Sequence, residues 1–494
     1  MTTSYNQILK STILVGGAQV VTILVGIVRT KVLAVLLGPA GYGLSGMYVS
    51  TLSMINTLTG FGIGSAGVRQ IAEATGSGDD LRVSRTIRTL RLASLTSGLL
   101  GMGLVIVLSP FLARMTFDDP RYAGGIALLS VTLLFGGISS GQLALLQGLR
   151  RLKDLAACNI FGTVFGTLVS VGLVWWLRER GIVWFIAASS AFTILTSWWY
   201  ARRIRVQPVI LDFHQYWTEA RSLLGMGGAF LVSGLLSSVV AYLTRILIVR
   251  ELGMDSVGLY AAAWTLASLY AGMVINAMGM DFYPRLTAAS SDHGKMCQLV
   301  NEQTEMGLLM SAPGVVGTLA LAPWVLKVFY SASFASATPI IQWMVLGVAL
   351  RVLSFPMGYI LLAKGRARLF TISETIFSLA SIGLLMACMK IWQLEGVGIA
   401  FAAMYFFLTF WIFGLSWRVI GFAWTGIVMR LIAGMSIICL LAFLVGRYYP
   451  AIEGLVMGAF LTGLATAGSL WTVQKIMHIN MLAVFRKRFL RNNG

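Results

Sequence analysis

Leu37-Gly38-Pro39-Ala40-Gly41-Tyr42-Gly43-Leu44 and Leu252-Gly253-Met254-Asp255-Ser256-Val257-Gly258-Leu259 share one Leu-Gly…Gly-Leu frame, 215 residues apart. Each is a glycine-marked turn that closes one long apolar run and opens the next. Other landmarks recur at nearly the same spacing. Arg69 falls on Arg285, Gly181-Ile182 on Gly396-Val397, and Gly148 before Arg150 on Gly365 before Arg366, the last at an offset of 217. Together they indicate a duplicated unit of six helices. Six is even, so both copies insert with the same orientation and the relating axis runs along the membrane normal. Two lobes arranged in that way are expected to leave a cleft near the axis.

Composition requires a membrane. Apolar residues make up 57% of the 494 and charged ones only 11%, with a mean hydropathy of +0.82. Soluble domains are usually about 25% charged, so this chain lacks the polar surface to face water. Runs long enough for ~20-residue spans occur at 8–37, 44–72, 86–113, 122–148, 155–177, 182–204, 223–250, 257–283, 303–327, 337–363, 369–391, 396–418, 427–448 and 453–475. The expected fold is therefore all-α and integral to the membrane, with fourteen transmembrane helices in two pseudo-symmetric six-helix lobes plus two further C-terminal helices. The expected divisions are an N-terminal lobe at 1–205, an interfacial linker at 206–222 and a C-terminal lobe at 223–420. Helices thirteen and fourteen occupy 421–476, and a basic tail 477–494. The first run is too long for a signal-peptide core and reads as a retained span.

Basic residues gather in alternate short loops. With both termini in the cytoplasm, 25 of the 37 lie on the inner side and 8 on the outer, which obeys the positive-inside rule. The net charge of +19 is thus a topology signal, and with no soluble basic face it does not indicate nucleic-acid binding. Cys158, Cys297, Cys388 and Cys439 lie scattered in apolar runs without metal-ligand spacing. No Walker motif, metal cluster or pair of outer-loop carboxylates is present, so no enzyme is expected.

Charges within spans are costly and so point to function. Arg29 lies nine residues before Gly38, about 13 Å inside the outer end at ~1.5 Å per residue. Arg245 lies at a similar depth before Gly253, and Arg351 falls near the middle of the tenth run. The first six spans contain no carboxylate away from their ends, so Arg29 has no evident partner there. An arginine facing a wet cleft is a good phosphate clamp, because its planar fork bonds two oxygens at once. The three arginines are accordingly the candidate substrate-binding cations, with Asn56 and Asn276 as mid-depth hydrogen-bonding partners. Asp281, Glu302 and Glu374 lie within or at the ends of second-half spans. They are candidates for coupling H⁺ or Na⁺, or for pairing with rim arginines such as Arg285, Arg366 and Arg368. Pro313 and Pro356 are expected to interrupt the ninth and tenth helices.

The turn at 37–44, the Gly60-Phe61-Gly62 step followed by Arg69, and Asp281-Phe282-Tyr283-Pro284-Arg285-Leu286 resemble one known family. It is the polysaccharide-transporter branch of the multidrug/oligosaccharidyl-lipid/polysaccharide flippase superfamily, the O-antigen translocases of lipopolysaccharide biosynthesis. The resemblance covers essentially the whole chain. It implies a V-shaped, multi-pass protein of the bacterial inner membrane, with no cofactor. It further implies that undecaprenyl-diphosphate-linked oligosaccharide passes from the cytoplasmic to the periplasmic leaflet by alternating access. A polysaccharide polymerase and a chain-length regulator are the implied protein partners. Related flippases of lipid-linked cell-wall precursors carry cavity arginines, including one in the first helix, and Arg29 matches that pattern. Three alternatives remain: a cation-coupled multidrug antiporter of the same superfamily, a membrane-embedded glycan polymerase or ligase, and a lipid scaffold. The first usually has a carboxylate in its first lobe, and the second a large periplasmic loop. Neither feature is found here.

Overall fold

The computed structural model describes the backbone of residues 2–204, 206–208, 213–449 and 452–477. Every regular element in it is helical. In chain order they are α1 (Thr2–Gly60), α2 (Ile63–Gly76), α3 (Asp80–Phe117), α4 (Ala123–Leu129), α5 (Val131–Gly148), α6 (Leu152–Leu177), α7 (Gly181–Ala201) and α8 (Phe213–Leu252). Then come α9 (Met254–Ala288), α10 (His293–Ala320), α11 (Ala322–Phe329), α12 (Thr338–Ala363), α13 (Ala367–Ile420), α14 (Gly426–Tyr448) and α15 (Ile452–Met477).

Two of these helices are double spans. α1 leaves helical geometry at Gly38 (φ 65°, ψ −174°) and α13 at Gln393 (φ 49°, ψ −128°). Cutting both there, joining α4 to α5 and α10 to α11, and setting aside α2, whose 14 residues are too few to cross a bilayer, gives fourteen spans among the described residues, the number that the apolar runs require. Their surface is apolar where a soluble protein's would be polar. Trp176 and Val107 are 78% and 77% exposed, and Phe460 and Leu379 nearly as much. Hydroxyls such as those of Thr51, Thr89, Ser170 and Thr304 are buried. A lipid-facing exterior accounts for the inversion. Arg202 stacks 3.7 Å from the Trp199 ring centre at the end of α7, and Lys475 lies 5.4 Å from Trp471 near the end of α15. Such pairs suit the membrane–water boundary, where an aromatic body and a charged tip are both satisfied.

Local backbone geometry bears out the internal repeat and sharpens its register. Gly38 and Gly253, 215 apart, both turn through positive φ (65° and 85°). Arg178 (φ 52°, ψ −131°) and Gln393 (φ 49°, ψ −128°) adopt one unusual conformation, again 215 apart. On the opposite side of the membrane Arg150 (φ 56°) and Gly365 (φ 68°) form the third pair. The expected match of Gly148 to Gly365, at 217, is therefore corrected to Arg150. The close approaches repeat as well. A Cβ on Gly181 would press on the Leu173 carbonyl oxygen, and one on Gly396 would press on that of Cys388.

Other expectations are corrected too. The second span ends at Gly60. Phe61 and Gly62, both left-handed, break the chain before α2, because a left-handed Gly62 caps the new helix. The ninth span starts ten residues earlier than its apolar run, since Asp292 caps α10 by accepting from the Lys295 amide. It ends at Ala320, where α11 turns away by 88°. Pro313 and Pro356 interrupt nothing: α10 and α12 continue through them.

Packing divides the chain into two units. The first runs to Gly258 and includes Phe329–Ser331, while the second holds Leu259–Val328 and everything from Ala332 onward. α8, which opens the second sequence repeat, thus packs with the first unit. Thr57 and Ser238 bridge it to α1 at 3.0 Å, Tyr242 and Thr116 bridge it to α3, and Arg250 donates to the Met115 carbonyl at 2.8 Å. Of the expected 206–222 linker, 209–212 lie outside the described residues and everything from Phe213 already belongs to α8, while 478–494 of the tail lie outside them. Within the second unit, α14 and α15 pack on α10 and on each other.

Candidate functional site

Arg29 sits in the first span of α1, half-buried and within electrostatic reach of Tyr42. Among the described residues it makes no hydrogen bond or ion pair. Tyr42 follows the Gly38 break by one turn and meets Tyr330 edge-on, ring centres 5.5 Å apart. Arg245, in α8 of the same unit, is half-buried and donates from Nη1 to the Ala241 carbonyl at 3.0 Å.

Asn56 lies further along α1, one side chain on the wall of a cavity of about 980 Å³ within the first unit. Segments of α1, α2, α3, α5 and α7 enclose it. Glycines let its walls pack closely. A Cβ on Gly64 would collide with the Ser140 hydroxyl at 2.6 Å, and one on Gly137 with the Ser94 carbonyl at 2.8 Å. Arg69 stands at the α2 end of this wall, and Glu73 takes its Nε at 2.7 Å. Arg29 is not on the wall.

In the second unit Arg351 of α12 lies within electrostatic reach of Glu374 and Tyr405, both on α13. Sequence reading offered Glu374 for ion coupling or for pairing with Arg285, Arg366 or Arg368. Instead, the antiparallel packing of α12 on α13 sets it opposite Arg351. Glu302 is exposed on the first turns of α10 and accepts from Gln298 at 2.8 Å. The side chains of Asn276 and Asp281 lie outside the described residues. An apolar cavity of about 660 Å³, lined by Trp343, Leu346, Phe406, Cys439 and Phe443, opens between α12, α13 and α14. No group of three or more His, Cys, Asp or Glu side chains positioned to hold a metal occurs among the described residues.

Sequence reasoning missed two polar clusters. Glu395, just past the α13 break, accepts from Trp343 Nε1 at 2.9 Å and pairs with Arg447 of α14 at 3.1 Å. The hydroxyls around Asn56 were missed as well. Their one signal was the glycine–serine clustering at Gly60–Ser65 and Gly136–Gly141.

Residues 32–339 match the family described as "Polysaccharide biosynthesis protein". The chain belongs to this family. That match bears out the resemblance read from the 37–44 turn and the Asp281–Leu286 stretch. Among curated relatives, the lipid III flippase of Escherichia coli (strain K12) is 23% identical over 382 residues, 74% of this chain and 87% of that one. The teichuronic acid biosynthesis protein TuaB of Bacillus subtilis (strain 168) is 23% identical over 293 residues, 59% of each chain. Among solved structures, the lipid II flippase MurJ in an inward closed conformation aligns with a TM-score of 0.68 at 14% identity, covering 94% of this chain and all of that one. An inward-facing multidrug transporter of the MATE family aligns at 0.66 and 15% identity, over 81% and 94%. At such identities the structural likenesses establish the fold of the MOP superfamily.

Proposed function

We propose that this family member flips an undecaprenyl-diphosphate-linked oligosaccharide from the cytoplasmic to the periplasmic leaflet of a bacterial inner membrane. Both termini lie in the cytoplasm, and transport proceeds by alternating access. The observation that carries the reading is Arg29, a half-buried guanidinium inside a span with no described protein anion to neutralise it. A cation in that position favours a substrate that brings its own negative charge, and a diphosphate does so with oxygens spaced for bidentate bonding. Arg245 and Arg351 are the further candidate cations along the route. Glu374, facing Arg351, is the candidate for H⁺ or Na⁺ coupling, because protonating it would free the arginine's charge for substrate. Glu302 and Asp281 are lesser candidates for the same role, and Asn56 and Asn276 for contacts to the glycan. The apolar cavity beside Phe406 and Cys439 suits a hydrocarbon chain. The family description, and the flippase among the relatives, support the same reading. A polymerase and a chain-length regulator are the proposed partners.

The test is translocation of a diphosphate-lipid oligosaccharide in proteoliposomes, comparing wild type with Arg29→Ala and Arg29→Lys. Losing a charge-assisted bond worth ~1.5–3 kcal/mol predicts a roughly 10- to 100-fold slower Arg29→Ala, with partial recovery in Arg29→Lys. Full activity of both variants removes Arg29 from the mechanism. A wild type that flips nothing, but exports cationic dyes against a Na⁺ or H⁺ gradient, replaces the flippase with the antiporter.

A further inference from the structure

One short piece of the chain packs away from its sequence neighbours. Phe329–Ser331 belongs to the first unit, although Val328 before it and Ala332 after it belong to the second. The route accounts for the excursion. α11 turns away from α10 by 88°, and the chain touches the first unit before the short turn Ala332–Ala337 leads it into α12. Between Leu326 and Phe334 a single side chain is fully buried. Tyr330 is 1% exposed, whereas Lys327, Val328, Ala332 and Ser333 are exposed, and Phe329 and Ser331 half-buried. The Tyr330 ring meets that of Tyr42 edge-on, and the two hydroxyls stand 3.5 Å apart. Tyr42 follows the Gly38 break in α1, and the next residue, Gly43, lies against the main chain of Met254 and Gly258 at the start of α9. Two consecutive residues of one helix thus carry two closures at the Gly38 end of the first unit.

The two closures differ in how they can open. The glycine contact is main chain on main chain, so parting it moves whole helices. The tyrosine contact is one ring on a three-residue segment, and withdrawing it breaks few interactions. Segments held by so few contacts open before the units that carry them. An edge-to-face pair is also directional, so the docked ring has one seat. Arg29 lies nine residues inside Gly38 on the preceding span, within electrostatic reach of Tyr42. We infer that Phe329–Ser331 is a latch: Tyr330 docks on Tyr42 and shuts the approach to Arg29 from the Gly38 end, the outer face in the orientation proposed above. It rests on the flippase reading only in taking Arg29 as the group that is shielded. Docked, the latch keeps outside anions from Arg29. Undocked, it lets whatever Arg29 holds leave on that side, with neither unit unfolded.

The experiment is thiol labelling of the full-length chain in sealed vesicles. Arg29→Cys, with Cys158, Cys297, Cys388 and Cys439 replaced, is exposed to an impermeant maleimide on the Gly38 face. Labelling is expected to be slow with both tyrosines in place, and at least tenfold faster with Tyr330→Ala or Tyr42→Ala. Tyr330→Phe keeps the ring contact and loses only the hydroxyl, so its rate is expected to lie between. Phe334→Ala is the control, because it deletes an equally buried ring four residues along, in the second unit. Its labelling is expected to match the parent's. Unchanged labelling in either tyrosine-to-alanine variant, or an equal rise with Phe334→Ala, would overturn the latch. Should Tyr330→Ala not fold, Tyr42→Ala and Tyr330→Phe decide on the same terms. Translocation by chains that keep Arg29 separates the two readings. Latch-dependent labelling with a wild type that translocates nothing keeps the latch and removes the flippase. Translocation with labelling indifferent to both tyrosines does the reverse.

Discussion

Gly43→Ala is the sharpest test of the repeat-related contact. Gly43 and Gly258 occupy equivalent places in the two copies, 215 residues apart, and they face each other at van der Waals distance. A Cβ on Gly43 would lie 2.5 Å from the Met254 carbonyl oxygen and 2.8 Å from the Gly258 nitrogen. Real Cβ contacts essentially never fall under 3.0 Å, so the backbones must separate by at least 0.5 Å. Both obstructing atoms are main chain at the start of α9, and no side chain can swing away. Overpacking of this kind costs about 1–3 kcal/mol. At roughly 2–4 °C per kcal/mol for units of this size, the thermal midpoint should fall by roughly 2–12 °C. The assay is thermal unfolding of the purified protein followed by tryptophan fluorescence, with Gly103→Ala as the control, because a Cβ there meets nothing within 4 Å. Gly258→Ala presses still harder, on the Pro39 carbonyl. Because the two sites touch, the double variant should cost less than the sum of the singles. A Gly43→Ala midpoint equal to that of Gly103→Ala would refute the close approach and the reasoning built on it.

Three further outcomes are expected. Asn301→Ala strips the Ala423 carbonyl and Thr425 amide of their partner, at 3.0 and 2.9 Å, and at ~1–3 kcal/mol per stranded group it should lower stability more than Asn301→Gln. Equal midpoints for the two would argue against the bridge. Glu395→Gln keeps the Trp343 bond and loses only a half-exposed ion pair to Arg447, worth ~0–1 kcal/mol, whereas Glu395→Ala loses both. Thermal unfolding should therefore rank Ala well below Gln, and the reverse order would sink the assignment. For orientation, single cysteines at Arg180 and Arg366, in a background lacking the four native ones, should react with an impermeant maleimide from the outside at 180 alone. Labelling of 366 instead would invert the topology.

Much of the fold was legible because hydropathy and charge respond to one strong constraint, the bilayer. Fourteen runs and alternating arginines gave fourteen spans, and the Leu-Gly…Gly-Leu turns gave the repeat. Where the chain breaks was harder to read. The Phe61–Gly62 step and the turn after Ala320 lie inside apolar stretches, since lipid rewards their side chains whatever the backbone does. Proline misled as well: α10 and α12 run on through Pro313 and Pro356. Arg29 and Asn56 stood out as isolated polar letters in apolar runs. Ser94, Ser140 and Ser190 did not, because single hydroxyls are common in membrane helices and their convergence is set by packing. Glu374 was visible as a charge, but its electrostatic neighbour Arg351 on α12 was not, for that depends on how two helices lie side by side.

The two helices beyond the repeat cannot be regarded as an appendix. Asn301 of α10 bonds the lead-in to α14, Gln342 of α12 donates to the Phe443 carbonyl, and Glu395 meets Arg447. Each of these polar side chains belongs to the six-helix repeat, where it also has a partner, yet reaches across to the added pair. A gene cut after Ile420 would release a protein in which an amide, a second amide and a carboxylate each lose a partner. Shortening this chain to twelve helices would therefore cost more than two lipid-facing spans: positions 301, 342 and 395 would each have one bond to replace.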